Sequence, residues 1–186
     1  MRPVRGCGGF RLGLPAWRVS RNGLTGLGAL SGLAVLVADQ ASKWWVLHGI
    51  ELPEIGRVFL LPVLNLTMVW NRGVTFGLLT GFGTWSYLLL AAIALAVVAA
   101  LGVWLRRAES PVVALSLGAI AGGAIGNVID RLRFGAVVDF IDVHVGEWHW
   151  YVFNVADAAI VCGVAALILE SQWPKRRQAA DNTPAG

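Results

Sequence analysis

WSYLLLAAIALAVVAALGVWL, Trp85 to Leu105, runs for 21 residues without a charge. At 1.5 Å per residue, a helix of that length spans roughly 30 Å, the thickness of a bilayer's hydrocarbon core. A helix on a water-soluble domain keeps a polar stripe. This one has none, and Arg106 and Arg107 close it abruptly. The run reads as a membrane span.

Three more apolar runs lie around it. Leu24 to Ala38 precedes it and is expected to continue as helix to Trp45. A cleaved signal peptide would show a small-residue cleavage site after this run. Asp39-Gln40-Ala41-Ser42-Lys43 follows instead, so the run is expected to be retained. Pro111 to Ile129 forms a third run, expected to stop at Asp130-Arg131. Phe153 to Trp173 forms a fourth, followed by Lys175, Arg176 and Arg177. Composition agrees: 56% of residues are hydrophobic and 14% charged, against about 25% charged in soluble domains. The mean hydropathy is +0.66.

The chain of 186 residues thus divides into a basic cytoplasmic leader (1–22), a four-helix membrane domain (23–173) and a cytoplasmic tail (174–186). The net charge of +4 does not imply nucleic acid, because the basic residues flank apolar runs and form no patch interleaved with aromatics. Ten lysines and arginines fall in the leader, the link between spans two and three, and the tail, and five fall on the opposite side. The excess marks the cytoplasmic face, which places both termini there. Of the 11 carboxylates, 8 lie on or near the outer side, where carboxylate chemistry is expected.

Two outer segments are not helical in pattern. Val58 to Leu61 and Leu64 to Trp70 are rich in β-branched and aromatic residues and are separated by Pro62, which suggests short strands. Arg133 to Tyr151 carries Trp148, His149, Trp150 and Tyr151, aromatics suited to the headgroup level. The expected fold is an all-α membrane protein: four transmembrane helices with a small periplasmic β-sheet, or cradle, and a short surface helix or loop. Cys7 and Cys162 form neither a metal spacing nor a disulfide framework. His48, His144 and His149 are scattered, so neither metal nor cofactor is expected.

Polar groups at the ends of apolar spans are costly unless paired, so each needs a reason. Asp39 and Lys43 stand i,i+4 on one helical face and alone would read as a local ion pair. Asn71-Arg72-Gly73-Val74-Thr75-Phe76-Gly77 alone would read as a turn. Gly118, Gly122 and Gly126 repeat every four residues, a small face for close helix packing. Asn127, Asp130 and Arg131 follow, with a local Asp130–Arg131 pair as the plain reading. Asp139 sits between Val137-Val138 and Phe140-Ile141, where desolvation raises a carboxyl pKa. Asn154 is an N-cap candidate for the fourth span, and Asp157 lies in its first turn. Two carboxylates in apolar settings on one membrane side suggest a dyad sharing one proton, one member acting as base on water and the other as acid. Neither a Gly-x-Ser-x-Gly elbow nor a His-Glu-x-x-His motif is present.

These four clusters, in this order on four spans, resemble the lipoprotein signal peptidase (signal peptidase II) family. The matching pieces are Asp39-Gln40-x-Ser42-Lys43, Asn71-x-Gly73-x-x-Phe76-Gly77, Gly126-Asn127-x-x-Asp130-Arg131 through Val138-Asp139-Phe140, and Phe153-Asn154-x-Ala156-Asp157. The resemblance implies an intramembrane aspartyl endopeptidase with Asp139 and Asp157 as catalytic residues. It implies that Asp39, Lys43, Asn71, Gly73, Asn127, Asp130, Arg131 and Asn154 support the site or bind substrate. The implied substrates are diacylglyceryl-modified prolipoproteins, cut just before the modified cysteine, in the bacterial inner membrane near its periplasmic face. The implied partners are these substrates and membrane lipid, with the protein a monomer and no nucleic acid involved. A small carboxylate-lined transporter or proton channel is the alternative. Against it, the spans are few, no inverted repeat is present, and the carboxylates gather at one face instead of the midplane.

Overall fold

The computed structural model describes residues 20–73 and 85–172. The elements, in chain order, are α1 (Arg21–Trp44) with a π-helical turn Trp45–Gly49, α2 (Leu52–Ile55), β1 (Arg57–Leu61), β2 (Leu64–Asn71), α3 (Ser86–Leu105), α4 (Pro111–Phe134), β3 (Val137–Val145), β4 (Trp148–His149) and α5 (Val155–Gln172). Among the described residues, four helices, Arg21–Gly49, Ser86–Leu105, Pro111–Phe134 and Val155–Gln172, are long and apolar enough to cross a membrane.

α4 is the hub, with 56% of its most apolar window buried against 17%, 6% and 11% for the other three. Its glycines allow this. A Cβ on Gly118 would run into the Gly28 carbonyl of α1, and one on Gly122 into that of Gly32. On the other side of α4, a Cβ on Gly123 would meet the Ala156 carbonyl of α5 at 2.6 Å. Without side chains in the way, backbones approach closely, and dispersion replaces the hydrophobic drive that lipid does not supply. The outward faces are apolar, with Leu30, Leu33, Ile93, Val103, Val161 and Leu169 all exposed. Among the described residues, ten polar or charged ones are buried instead, Asp39, Lys43, Asp130 and Asp139 among them. Apolar outside and polar inside is the pattern a hydrocarbon solvent selects.

The helix ends follow local chemistry. Ser20 and Ser110 accept the Gly23 and Val113 amides as N-caps of α1 and α4, and Pro111 occupies the first turn of α4. α4 ends at Gly135, whose φ of +69° a side chain resists. Two sequence expectations are corrected here. The third span does not stop at Asp130-Arg131 but continues to Phe134, because Asp130 finds buried partners. The helix also begins at Arg21, inside the expected leader.

At the end where α1 and α4 finish and α5 begins, a sheet of order β1-β2-β3-β4, antiparallel throughout, sits on a core of Val46, Leu52, Leu66, Val138 and Phe140. The strands expected at Val58–Leu61 and Leu64–Trp70 are β1 and β2. β3 and β4, within Arg133–Tyr151, are strands that the sequence reading does not assign.

Candidate active site

The sheet register brings the first carboxylate to its partners. Val69 of β2 pairs with Asp139 of β3, so Asn71, two residues on, is Asp139's diagonal neighbour on the same face. Its Nδ2 donates to Asp139 Oδ2 at 2.9 Å. Asn71 is itself oriented by the Gly73 amide, which donates to Asn71 Oδ1 at 2.9 Å from a glycine with φ of +71°. After β4 the chain returns beside β3, where the Phe140 and Ile141 amides both donate to the Phe153 carbonyl. That contact delivers Asn154, which is fully buried and whose Nδ2 donates to Asp139 Oδ1 at 2.6 Å.

Asn154 also opens α5. Its Oδ1 accepts the Asp157 amide at 2.9 Å, and its own amide donates back to Asp157 Oδ2 at 3.3 Å, a reciprocal cap with Asp as the returning acid. Asn127 of α4 closes the circuit. Its Nδ2 donates to Asp157 Oδ1 at 2.8 Å, and its Oδ1 accepts from Asn154 at 3.2 Å. Asn154, Asp157 and Asn127 thus close a ring from which Asn154 reaches Asp139, and every oxygen of the two aspartates receives an N–H.

Asp139 is 1% exposed. Burial raises its carboxyl pKa to about 6; the amide bond from Asn71 opposes this, and the Asp157 charge adds to it. Asp139 and Asp157 both line one cleft of about 510 Å³, together with Trp150, Tyr151, Ala158 and Val161. The aspartates form one end of it, and one turn farther along α5 its wall is apolar.

A second polar group underlies this ring. Lys43 Nζ lies 2.8 Å from Asp39 Oδ2 and 2.7 Å from Asp130 Oδ2, and donates to Asn127 Oδ1 at 3.2 Å. Gln40 Nε2 donates to both Asp39 and Asp130. The two carboxylates of this ion triad also hold backbone. Asp39 Oδ1 accepts the Ala156 amide at 3.0 Å, and Asp130 Oδ2 accepts the Val138 amide at 3.1 Å. Those residues immediately precede Asp157 and Asp139. A Cβ on Gly126 would strike the Asp39 carboxylate, so that glycine makes room for the triad.

The structure therefore places Asp139, Asp157 and Asn71 on the cleft, bonds Gly73, Asn127 and Asn154 to them, and joins Asp39, Lys43 and Asp130 to this group through Asn127. Two readings change. Asp39 and Lys43 are not a self-contained pair, and Asp130 pairs with Lys43 from another helix instead of with Arg131. Arg131 donates to the Asn127 carbonyl at 3.2 Å, within electrostatic range of Asp157, Asp130 and Asp139. Gln40, quoted only within a motif, and the two backbone amides receive no role from the sequence. Spacing does not reveal which amide a distant carboxylate accepts. Thr75, Phe76, Gly77 and Cys7 lie outside the described residues.

A family model described as Signal peptidase (SPase) II matches residues 32–173. A lipoprotein signal peptidase of Methylobacterium sp. (strain 4-46) is 48% identical over 163 residues, covering 86% of this chain and 97% of that one. The lipoprotein signal peptidase of Methylorubrum extorquens (strain PA1) is 51% identical over 153 residues, covering 81% and 88%. Two solved structures described as bacterial membrane enzymes, obtained by the in meso method, share the fold. One has a TM-score of 0.70 at 27% identity, covering 80% of this chain and 94% of the other. The second has a TM-score of 0.67 at 25% identity, covering 87% and 94%.

Proposed function

The chain belongs to the signal peptidase II family, a family of membrane peptidases, and from that we propose that it removes signal peptides from prolipoproteins as an aspartic endopeptidase. The observation that carries the aspartic reading is the convergence of Asp139 and Asp157 on one cleft, joined through Asn154 and Asn127. In this mechanism the buried Asp139 holds the proton at rest and polarises the scissile carbonyl. Asp157, half-buried and facing the cleft, is the carboxylate that takes a proton from water as it attacks. The tetrahedral intermediate collapses as Asp139 and Asp157 exchange acid and base roles, and the proton passes to the leaving amine. Asn71 and Asn154 fix the orientation of Asp139 throughout. The scissile bond lies just before the diacylglyceryl-modified cysteine, with the acyl chains in lipid beside the apolar wall of the cleft.

The test is cleavage by the purified protein of a diacylglyceryl-modified precursor alongside the same precursor without lipid. A product beginning at the lipidated cysteine, formed only from the modified precursor, supports the reading. Equal cleavage of both removes the lipid requirement. The pH dependence tests the division of labour. A carboxyl raised to about 6 keeps its proton above the ordinary carboxylate range and loses it near that pH. If Asp139 is the acid, kcat/KM of the free enzyme falls as pH rises through about 6. A profile that instead rises through that pH makes Asp139 the base.

We place the protein in the bacterial inner membrane with both termini cytoplasmic and the sheet and cleft toward the periplasm, supported by the ten-to-five division of basic residues. A reporter fused after Gly186 is expected to be active only in its cytoplasmic form. Activity only in its periplasmic form reverses the orientation.

A further inference from the structure

On the opposite face of the sheet from Asp139 lies a polar group that the cleft chemistry leaves unused. Side chains alternate along β3, so Asp139, Ile141 and Val143 share one face, and Phe140, Asp142 and His144 the other. Asp142 is 1% exposed. It accepts from Thr67 Oγ1 at 2.8 Å and lies 2.8 Å from His149 Nδ1 and 3.7 Å from the Arg57 guanidinium. Burial alone would raise this carboxyl. Hydrogen bonds from His149 and Thr67, with the charges of His149 and Arg57, outweigh it and hold the group below the usual carboxylate range. An ionised carboxylate only accepts, so Nδ1 of His149 carries the proton and donates.

His149 is the cross-strand partner of His144, and the rings stack with centroids 5.0 Å apart. β4 has only two residues, too short to be fixed by its own backbone pairing. Trp150, the next residue in this extended segment, falls on the face opposite His149 by strand alternation. The Trp150 amide donates to the Val143 carbonyl at 2.8 Å, and the Trp150 ring meets Trp148 edge-on at 5.4 Å. Trp150 and Tyr151 wall the cleft that holds Asp139 and Asp157. A side chain pinned on one face therefore sets the side chains on the other.

We propose that Asp142 and His149 form a clasp that fixes Trp150 and Tyr151 against the cleft, making His149 a positioning residue for substrate binding. The proposal rests on the cleft being the substrate site. Loss of a hydrogen bond to a charged group, partly exposed here, should raise KM for a diacylglyceryl-modified precursor about five- to tenfold in His149→Ala while kcat stays within about twofold. His149→Phe keeps a ring over His144 but has no N–H for Asp142, and should show the same rise. His149→Asn restores a donor near the Nδ1 position and should recover most of the affinity. In a Trp150→Ala, Tyr151→Ala background, His149→Ala should add nothing further, because the route it acts through is gone. An unchanged KM in His149→Ala, wild-type behaviour of His149→Phe, or a multiplicative effect in the combined variant overturns the clasp. Absence of cleavage by the wild-type protein overturns the site reading and the clasp together. Normal wild-type cleavage with an indifferent His149→Ala overturns the clasp alone.

Discussion

Asp139→Asn and Asp157→Asn are each expected to lower kcat on a diacylglyceryl-modified precursor on the order of 10³-fold or more, with lipopeptide binding retained. Asparagine matches the size of aspartate but neither takes a proton from water nor gives one up at neutral pH. Because the pair acts as one unit, the double variant should be little worse than either single one. The ring also sets what these substitutions do to the fold. Both Asp139 oxygens accept amide N–H groups, from Asn71 and Asn154. An asparagine there turns its own NH₂ toward one of those donors, an unsatisfied contact costing about 1–3 kcal/mol. Asp139→Asn should therefore melt a few degrees lower yet remain folded, and the fall in kcat far exceeds what that cost explains. Glu147, exposed on the β3–β4 turn, is the control, and Glu147→Gln should keep full activity. Asp142 would be a poor control, since it is buried and holds His149, Thr67 and Arg57. Substantial turnover by either single variant removes that residue from the dyad.

The four spans and β1–β2 are legible in the sequence because each rests on a local signal. Uncharged length specifies Trp85 to Leu105, and β-branched and aromatic runs around Pro62 specify the hairpin. β3 is harder to read. Val137, Val138, Asp139, Phe140 and Asp142 are all buried, so the polar alternation that marks a half-exposed strand is absent. The end of α4 is misplaced for a related reason. Asp130 and Arg131 look like the polar stop of a span, but Asp130 is satisfied by Lys43 and the Val138 amide, and the helix continues to its glycine cap. At the site, spacing shows that Asp139 and Asp157 stand in apolar surroundings. It does not show that Asn154 holds both, because that depends on the chain doubling back beside β3. What sequence cannot reach here is long-range pairing.

Lys43→Met carries the largest expected effect on stability. Lys43 uses all three ammonium donors, at 2.8 Å to Asp39, 2.7 Å to Asp130 and 3.2 Å to Asn127. The cation thereby links α1 to α4. Through the two carboxylates it also holds the Ala156 amide at the start of α5 and the Val138 amide at the start of β3. Methionine preserves most of the packing but leaves two buried carboxylates facing each other with only Gln40 between them. Breaking a buried pair in this way costs about 3–5 kcal/mol, a large share of the 5–15 kcal/mol typical of folded domains. A sharp fall in melting temperature and in the yield of folded protein from detergent is expected. Asp39→Ala should act in the same direction, lowering folded protein at least as much as specific activity, because it frees the Ala156 amide and unbalances Lys43. Charge is the decisive quantity, so Asp130→Asn added to Lys43→Met should recover part of the loss by removing one uncompensated carboxylate. If the double variant is no more stable than Lys43→Met, the lost hydrogen bonds matter and the charge does not. Normal melting with abolished turnover in Lys43→Met moves Lys43 from the support of the site into its chemistry.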